Sequence, residues 1–546
     1  MKRLFILVAS AALLLGVAPA ASQDGRGLVV THSLFDLRDY IFPHLYLLDP
    51  MTGILEGAQP DNFALVLDAQ PTAEQEQTLH LRDDSLWSDG TPVSAYEVLY
   101  SLITVGNSAV SSRPVIDGIA VTDEHTLTLR YSTPSCANSA RSNVYIIPIH
   151  AFIPGFTAFA QDFSDKHPGI NSIDVWAKAY LEANLPEQSQ GSYLAAGLRP
   201  LLAERSGEAG RYTNGDLAVL VVSTAPGMSA EEQFLSGMTN LLINPDFKRR
   251  ADLRAHEDVQ IYDAPGWSWD YLAFNFADTT IPRSAYTTKG DLLDQGRNEF
   301  FSDKRLRQAV QLGIDVNAII EVVYQGDATP LAGTLPLHSW GYNPDLQPAA
   351  YDPGAAARLL DEAGWVDTDG DGIRNCFRCT TAEPGTSLSL RFSVQPGNMR
   401  GRVSEMMAGQ LWRIGVEVSF ADSDPTSQRF DLYLGGYESG ASVMLDPDQA
   451  ALFTRAADVV GMMGNIGSYV NPALEDLLVQ ASTAPDCDIN PRAALYHEAQ
   501  TRLADDLPMF GLYARHEMVA ARGIEGFDPQ PGNPFWNLLN WRVAEP

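Results

Sequence analysis

In the stretch SLSLRFSVQPG the apolar residues Leu388, Leu390, Phe392 and Val394 alternate with polar ones. A period of two puts them on one face and predicts a half-buried strand. The following RGRVSEMMAGQLWRIG carries Val403, Met406, Met407, Gln410, Leu411 and Ile414 at helical spacing, and GVEVSF and FDLYLGG read as two further strands. A strand, a helix and a strand within about thirty residues form a βαβ unit, so a parallel sheet is expected and the region is α/β.

Upstream the pattern changes to capped helices. In SDKRLRQAVQLGI the residues Leu306, Ala309, Val310 and Gly313 share one stripe, with Ser302 or Asp303 placed to cap the first turn. Asp315 caps VNAIIEVVYQG, whose buried face reads as Ile319, Val322 and Val323 and whose stop is Gly326. YDPGAAARLLDEAGW repeats the grammar, with Asp352 as N-cap, Pro353 at the first helical position and Gly364 just past the end. The first third is β-rich instead, with short strands in TLHLR and TLTLRY and one helix in SAYEVLYSLITV. Trp267, Trp269 and Tyr271, then Phe274 and Phe276 around Asn275, read either as a strand with a core face or as an aromatic surface that grips a ligand.

The N-terminus supplies a compartment. Lys2 and Arg3, the apolar run from Leu4 to Val17 and Ala18-Pro19-Ala20 read as a signal peptide over residues 1–20. No cysteine follows the expected cut, so a secreted or periplasmic product without a lipid anchor is expected. With 37 basic and 68 acidic residues the net charge is -31, which argues against nucleic acid as a partner because phosphate contacts need basic patches. A chain of 546 residues exceeds one hydrophobic core, and two or three domains are expected.

Outside the cytoplasm the four cysteines can pair. Cys376 and Cys379 are the near pair and read as a small structural disulfide, which leaves Cys136 and Cys487 for each other or free. The same loop, DTDGDGIRNCFRC, offers Asp367, Asp369 and Asp371 at calcium-loop positions 1, 3 and 5 with Gly372 at 6, but Arg378 stands at position 12, where a carboxylate is needed. A tight polar turn is therefore favoured over a calcium site. The sequence holds no G-x-S-x-G, H-E-x-x-H or phosphate-cradling glycine loop, so no catalytic residues are assigned.

LRDDSLWSDGTPVSAYEVLYSL, YLAFNF, FFSDKRLRQAVQLGIDVNAIIEVVYQG and SWGYNPDLQPAAYDPGAAARLLDEAGW occur in that order, followed by NPALEDLLVQAS and ALYHEAQTRLADDLPMFGLY. Together they resemble the family 5 extracellular solute-binding proteins, the peptide-, dipeptide- and nickel-type receptors of ABC importers. The resemblance implies a two-lobed, hinged α/β fold of the large periplasmic-binding type. It places a first lobe at 21–45, 150–265 and 505–546, an inserted domain at 46–149 and a second lobe at 266–504. YLAFNF and PMFGLY would be the hinge strands, and a monomer would bind a peptide or small polar solute between the lobes and deliver it to a permease with its ATPases. Where peptide-binding members hold the ligand's amino terminus on an aspartate after an L-Y-L-G-G strand, this chain reads LYLGGYESGASVMLDPDQ. Tyr437 takes the aromatic place and Glu438 or Asp446 the carboxylate; Trp340 and Asn275 are further ligand candidates. A secreted hydrolase on the same scaffold and a calcium-dependent surface protein are the alternatives.

Overall fold

The computed structural model describes residues 7–8, 27–31, 43–184, 218–222 and 227–543, apart from breaks at 50, 52–53, 59–63, 68–71, 88–89, 104–115, 153–154, 396–398, 421–423, 438–445 and 538–539. The leader at 1–20 lies outside these residues except for Leu7–Val8, a short strand in parallel register with Leu220 and Val221. Among the described residues no helix is long and apolar enough to cross a membrane.

The chain forms two compact units, residues 1–264 with 485–487 and 517–546, and residues 265–484 with 488–516. In the first unit, Ile116–Asp123 and Thr126–Tyr131 make a hairpin, Glu76–His80 adds to its free side, and all pair antiparallel. Trp176 donates its indole N–H to the Ile119 carbonyl at 3.0 Å and packs on Phe163, fastening the helices Phe156–Lys166 and Ile173–Asn184 to this sheet. The helix Ala95–Ser101 begins on a capping box of Ser94 and Glu97, which satisfies amides the helix itself leaves open. One apolar core runs through these elements from Leu45 to Tyr180. A second, smaller core gathers Phe234, Leu242, Leu253, Met518 and Ala520. It lies by Leu241–Ile243, a strand parallel to Gly27–Thr31 and antiparallel to the end of Met509–Ala521.

Cys136 is bonded to Cys487, closing the pairing the sequence leaves open. Cys376 is bonded to Cys379 as expected.

In the second unit the parallel sheet forms as the alternation predicts. Ser389–Val394 pairs parallel with Glu417–Phe420 on one side and Leu432–Tyr437 on the other. The long strand Gln260–Phe274 joins antiparallel, Trp269 opposite Tyr437 and Phe274 opposite Leu432. Asp303, Asp315 and Asp352 each accept an amide of the helix they precede, at 2.9, 2.9 and 2.7 Å. Asp303, not Ser302, is thus the cap of Lys304–Gly313. In Val316–Tyr324 the buried face is Ile319, Ile320 and Val323, while Val322 is 54% exposed. The expected stripe was one position off, because Ile319–Val322 and Ile320–Val323 are both i, i+3 pairs and the packing buries the second.

The strands Gln260–Phe274 and Met509–Ala521 each have residues in both units, the change falling at Ala264–Pro265 and His516–Glu517. YLAFNF and PMFGLY, read as the hinge, lie wholly inside the second unit.

Candidate functional site

In an open α/β sheet, ligands bind beyond the carboxyl ends of the strands where the strand order reverses. The second unit has such a point. From Ser389–Val394 the chain runs through the helix Arg400–Trp412 to Glu417–Phe420, then returns to Leu432–Tyr437 on the opposite side. Gln395, Arg400 and Tyr437 lie at the carboxyl ends of the two strands flanking the reversal.

Gln395 ties the strand ends together, its side-chain carbonyl accepting the Gly436 amide at 2.8 Å. Arg400, first residue of its helix, is 4% exposed and places Nη2 2.8 Å from Oδ1 of Asp270, which is fully buried. The other Asp270 oxygen accepts the Tyr513 hydroxyl at 2.9 Å, and Tyr513 meets the Tyr324 hydroxyl at 3.2 Å. Burial, with the Asp270 carboxylate next in effect, pushes the Tyr513 phenol well above its ordinary value, so it acts as a donor. Arg515 donates to the Tyr437 carbonyl at 3.2 Å and stands 3.8 Å from Asp270. Gly436 is required here because a Cβ would run into Asp270 and Arg400.

On the opposite face of the strands Tyr437 is half-buried against Trp269 and Tyr271, ring centroids 5.2 and 5.6 Å away. Burial drives the Tyr437 phenol up strongly, so it remains neutral. Edge and ring of Tyr437 thus stand where a flat or extended ligand can stack and meet neutral hydrogen-bonding groups.

The other expected site residues fall elsewhere. Asp446 is gripped by Arg492 at 2.7 and 2.9 Å, and the Arg492 guanidinium lies 4.9 Å from the Trp340 ring. Trp340, Arg492 and Asp446 therefore form one cluster in which the carboxylate is already neutralised. Asn275 is 1% exposed at the far end of its strand, donating to the Gln428 carbonyl at 3.0 Å and accepting the Ala277 amide at 3.0 Å. Glu438 lies outside the described residues. Asp270, Arg400 and Gln395 went unmarked in the sequence; Arg400 at the head of a helix after a parallel strand is the one signal that places it at this edge.

The Asp367, Asp369 and Asp371 oxygens lie within 4.8 Å of one another. Both Asp367 oxygens accept backbone amides, of Gly370 at 2.7 Å and Gly372 at 3.1 Å, and Asp371 accepts that of Ile373 at 2.7 Å. Arg378 stacks on Phe377 at 5.1 Å. The residues do not fit a calcium cage: the loop's own amides use its carboxylates, and no twelfth-position ligand is present.

The family described as "Bacterial extracellular solute-binding proteins, family 5 Middle" matches residues 218–454. The chain is 27% identical over 263 residues to the oligopeptide-binding protein AppA of Bacillus subtilis, covering 46% of each. It is 26% identical over 408 residues to the dipeptide-binding protein of Escherichia coli, covering 70% of this chain and 67% of that one. The matched stretch thus spans about half to two thirds of the length of these curated relatives. Among solved structures, AppA of Bacillus subtilis in complex with a nonapeptide superposes with TM-score 0.59 at 19% identity, covering 95% of this chain and 99% of that one. NikZ of Campylobacter jejuni in complex with Ni(L-His) gives 0.58 at 16%, covering 94% and 99%. These likenesses carry the two-lobed periplasmic-binding fold, and residues 218–454, a little under half of the chain, match the family 5 bacterial extracellular solute-binding proteins.

Proposed function

We propose that the chain is the extracytoplasmic receptor of an ABC importer. It binds a peptide or similar small polar solute and hands it to a membrane permease driven by ATPases, and it acts as a monomer without catalysing a reaction. The observation that carries this reading is the carboxyl edge of the second unit, where the Tyr437 ring packs at a tilt against Trp269 at the strand-order reversal and Gln395 and Arg400 brace the strand ends. Relatives named for oligopeptide and dipeptide binding support the solute class. Tyr437 contacts the solute, Glu438, next to it in the chain, supplies a carboxylate, and Asp446 and Trp340 are further candidates held together by Arg492. Residues 46–149 form an inserted domain, and the core shared from Leu45 to Tyr180 supports extending it toward residue 180.

Native mass spectrometry of the purified protein, followed by calorimetry with whatever co-purifies, tests this. A bound small molecule and a saturable heat are expected. If nothing co-purifies and a mixed peptide library gives no thermal shift, the receptor reading fails.

A further inference from the structure

A cavity of about 540 Å³ opens in the second unit at the end of the sheet away from Tyr437. Trp269 pairs with Tyr437 and Phe274 with Leu432, so the cavity end of the strand lies about 17 Å from that aromatic pair at ordinary strand rise. Its floor is Phe276 and Tyr469, ring centroids 5.4 Å apart. One wall, Leu292–Gly296, is fixed by the Leu293 amide on the Ala285 carbonyl and the Asp278 amide on the Gln295 carbonyl. The other, Ser468–Val470, is fixed by Asn465, which accepts the Tyr469 amide and donates to its carbonyl. Ser468 is held at φ +50°, a left-handed conformation disfavoured for a residue with a Cβ. Strain of this kind in a rigid cavity wall prompts a search for a ligand.

The polar groups on the walls define which ligand. The Gln295 amide nitrogen is committed to the Asp458 carboxylate at 2.7 Å and the Arg283 carbonyl at 2.8 Å. Its Oε1 has no partner among the described residues and remains an acceptor. Asp294, on the same wall, is exposed, and its carboxylate accepts the Gly296 amide at 2.9 Å. Behind Gln295, Asp458 is held by the neutral side chains of Gln295, Gln428 and Ser468. The cations nearby are engaged: Arg283 donates to the Asp294 carbonyl, and Arg307, behind Phe276, donates to the carbonyls of Phe301 and Asp506. An anion on this wall would meet the Asp294 carboxylate and the Gln295 Oε1, neither of which can donate a hydrogen bond to it. Leu292 and Val470, 59% and 43% exposed, offer an apolar rim.

We propose that this cavity is a second binding site, for a small organic ammonium, whose apolar body rests on Phe276, Leu292 and Val470 and whose N–H groups donate to Gln295 Oε1 and the Asp294 carboxylate. The volume is in the range of small-molecule pockets. The test uses the full chain and ligand-observed NMR with phenethylammonium, against phenylacetate as the anionic match in shape. Saturable binding of the ammonium at least about tenfold tighter than phenylacetate is expected. Asp294→Asn and Leu292→Ser, both on exposed side chains, should each weaken it severalfold. Ser468→Gly relieves the left-handed strain but removes a hydroxyl that holds Asp458, so ammonium affinity should fall whichever way the melting temperature moves. Equal binding of the two probes, no saturation, unchanged affinity in all three variants, or displacement of the ammonium by the transported solute would each overturn the proposal.

Discussion

Arg400 and Asp270, 130 residues apart in sequence, meet as an ion pair at 2.8 Å with both side chains sealed from water. Removing one member of such a pair strands the other, at a cost of about 3–5 kcal/mol. Arg400→Met should therefore lower stability by about that amount in urea melts. Asp270→Asn/Arg400→Met should recover part of the loss, because neither fully buried charge is left without its partner, the less buried Arg515 still donates to the Tyr437 carbonyl, and the Tyr513 hydroxyl keeps an acceptor. If the double variant is as unstable as the two single losses added together, the pair is not the source of the effect.

Gly436 faces that pair. A methyl at this position would meet Asp270 and Arg400, whereas one at Gly409, within the helix Arg400–Trp412, would meet nothing within 4 Å. Gly436→Ala is expected to cost about 1–3 kcal/mol by overpacking and to lower solute affinity through displacement of Tyr437. Gly409→Ala should be stabilising by up to about 1 kcal/mol, since alanine favours the helix. Parallel thermal melts of the two variants check the contrast; equal effects would show that close packing at Gly436 does not decide the outcome.

The two disulfides should differ sharply in what they contribute. Cys136–Cys487 closes a separation of 351 residues and Cys376–Cys379 one of 3. On chain-entropy grounds their removal costs about 6 and about 2 kcal/mol. Cys136→Ser/Cys487→Ser should thus show the larger drop in denaturant midpoint, and Cys376→Ser/Cys379→Ser a small one confined to the turn.

How much of this was legible in the sequence follows the distance over which each interaction acts. Asp303, Asp315 and Asp352 are readable as caps because the amide each accepts lies two or three residues on. The Leu388, Leu390 and Phe392 stripe is readable because one strand face is either buried or not, and all three are 1% exposed. The Asp270–Arg400 pair is hidden because strand register, not spacing, brings them together. Asp446 looks like an available carboxylate until Arg492, 46 residues later, is seen to hold it. Val322 shows the limit of periodicity itself: a mostly apolar helix offers two overlapping stripes, and only the neighbours it packs on choose between them.

The loop at 367–379 should be indifferent to calcium. Asp367 already accepts two amides, and the loop is pinned by its disulfide. Adding calcium or a chelator is expected to leave the melting temperature unchanged, while Asp367→Ala should lower stability by about 1–3 kcal/mol through loss of those bonds. A calcium-dependent rise in melting temperature that Asp367→Ala abolishes would reverse the assignment.

Asp458 should give the protein a pH-dependent handicap. It is 1% exposed, and burial raises its pKa, opposed by hydrogen bonds from Gln295, Gln428 and Ser468. A carboxyl whose folded pKa lies above its unfolded value favours the native state while protonated. Its contribution is fully present below the unfolded pKa, near 4, and is lost as pH rises through the folded value. Asp458→Asn removes the ionisation. The new amide can be accommodated because Gln428 Oε1 is buried without a protein partner and can turn to accept from it. The variant's stability relative to the natural chain should therefore increase as pH climbs from about 4 toward 7. Melting curves of the two proteins across that range check the sign; a difference that is flat, or that shrinks with rising pH, would show that the Asp458 charge is not what burial penalises.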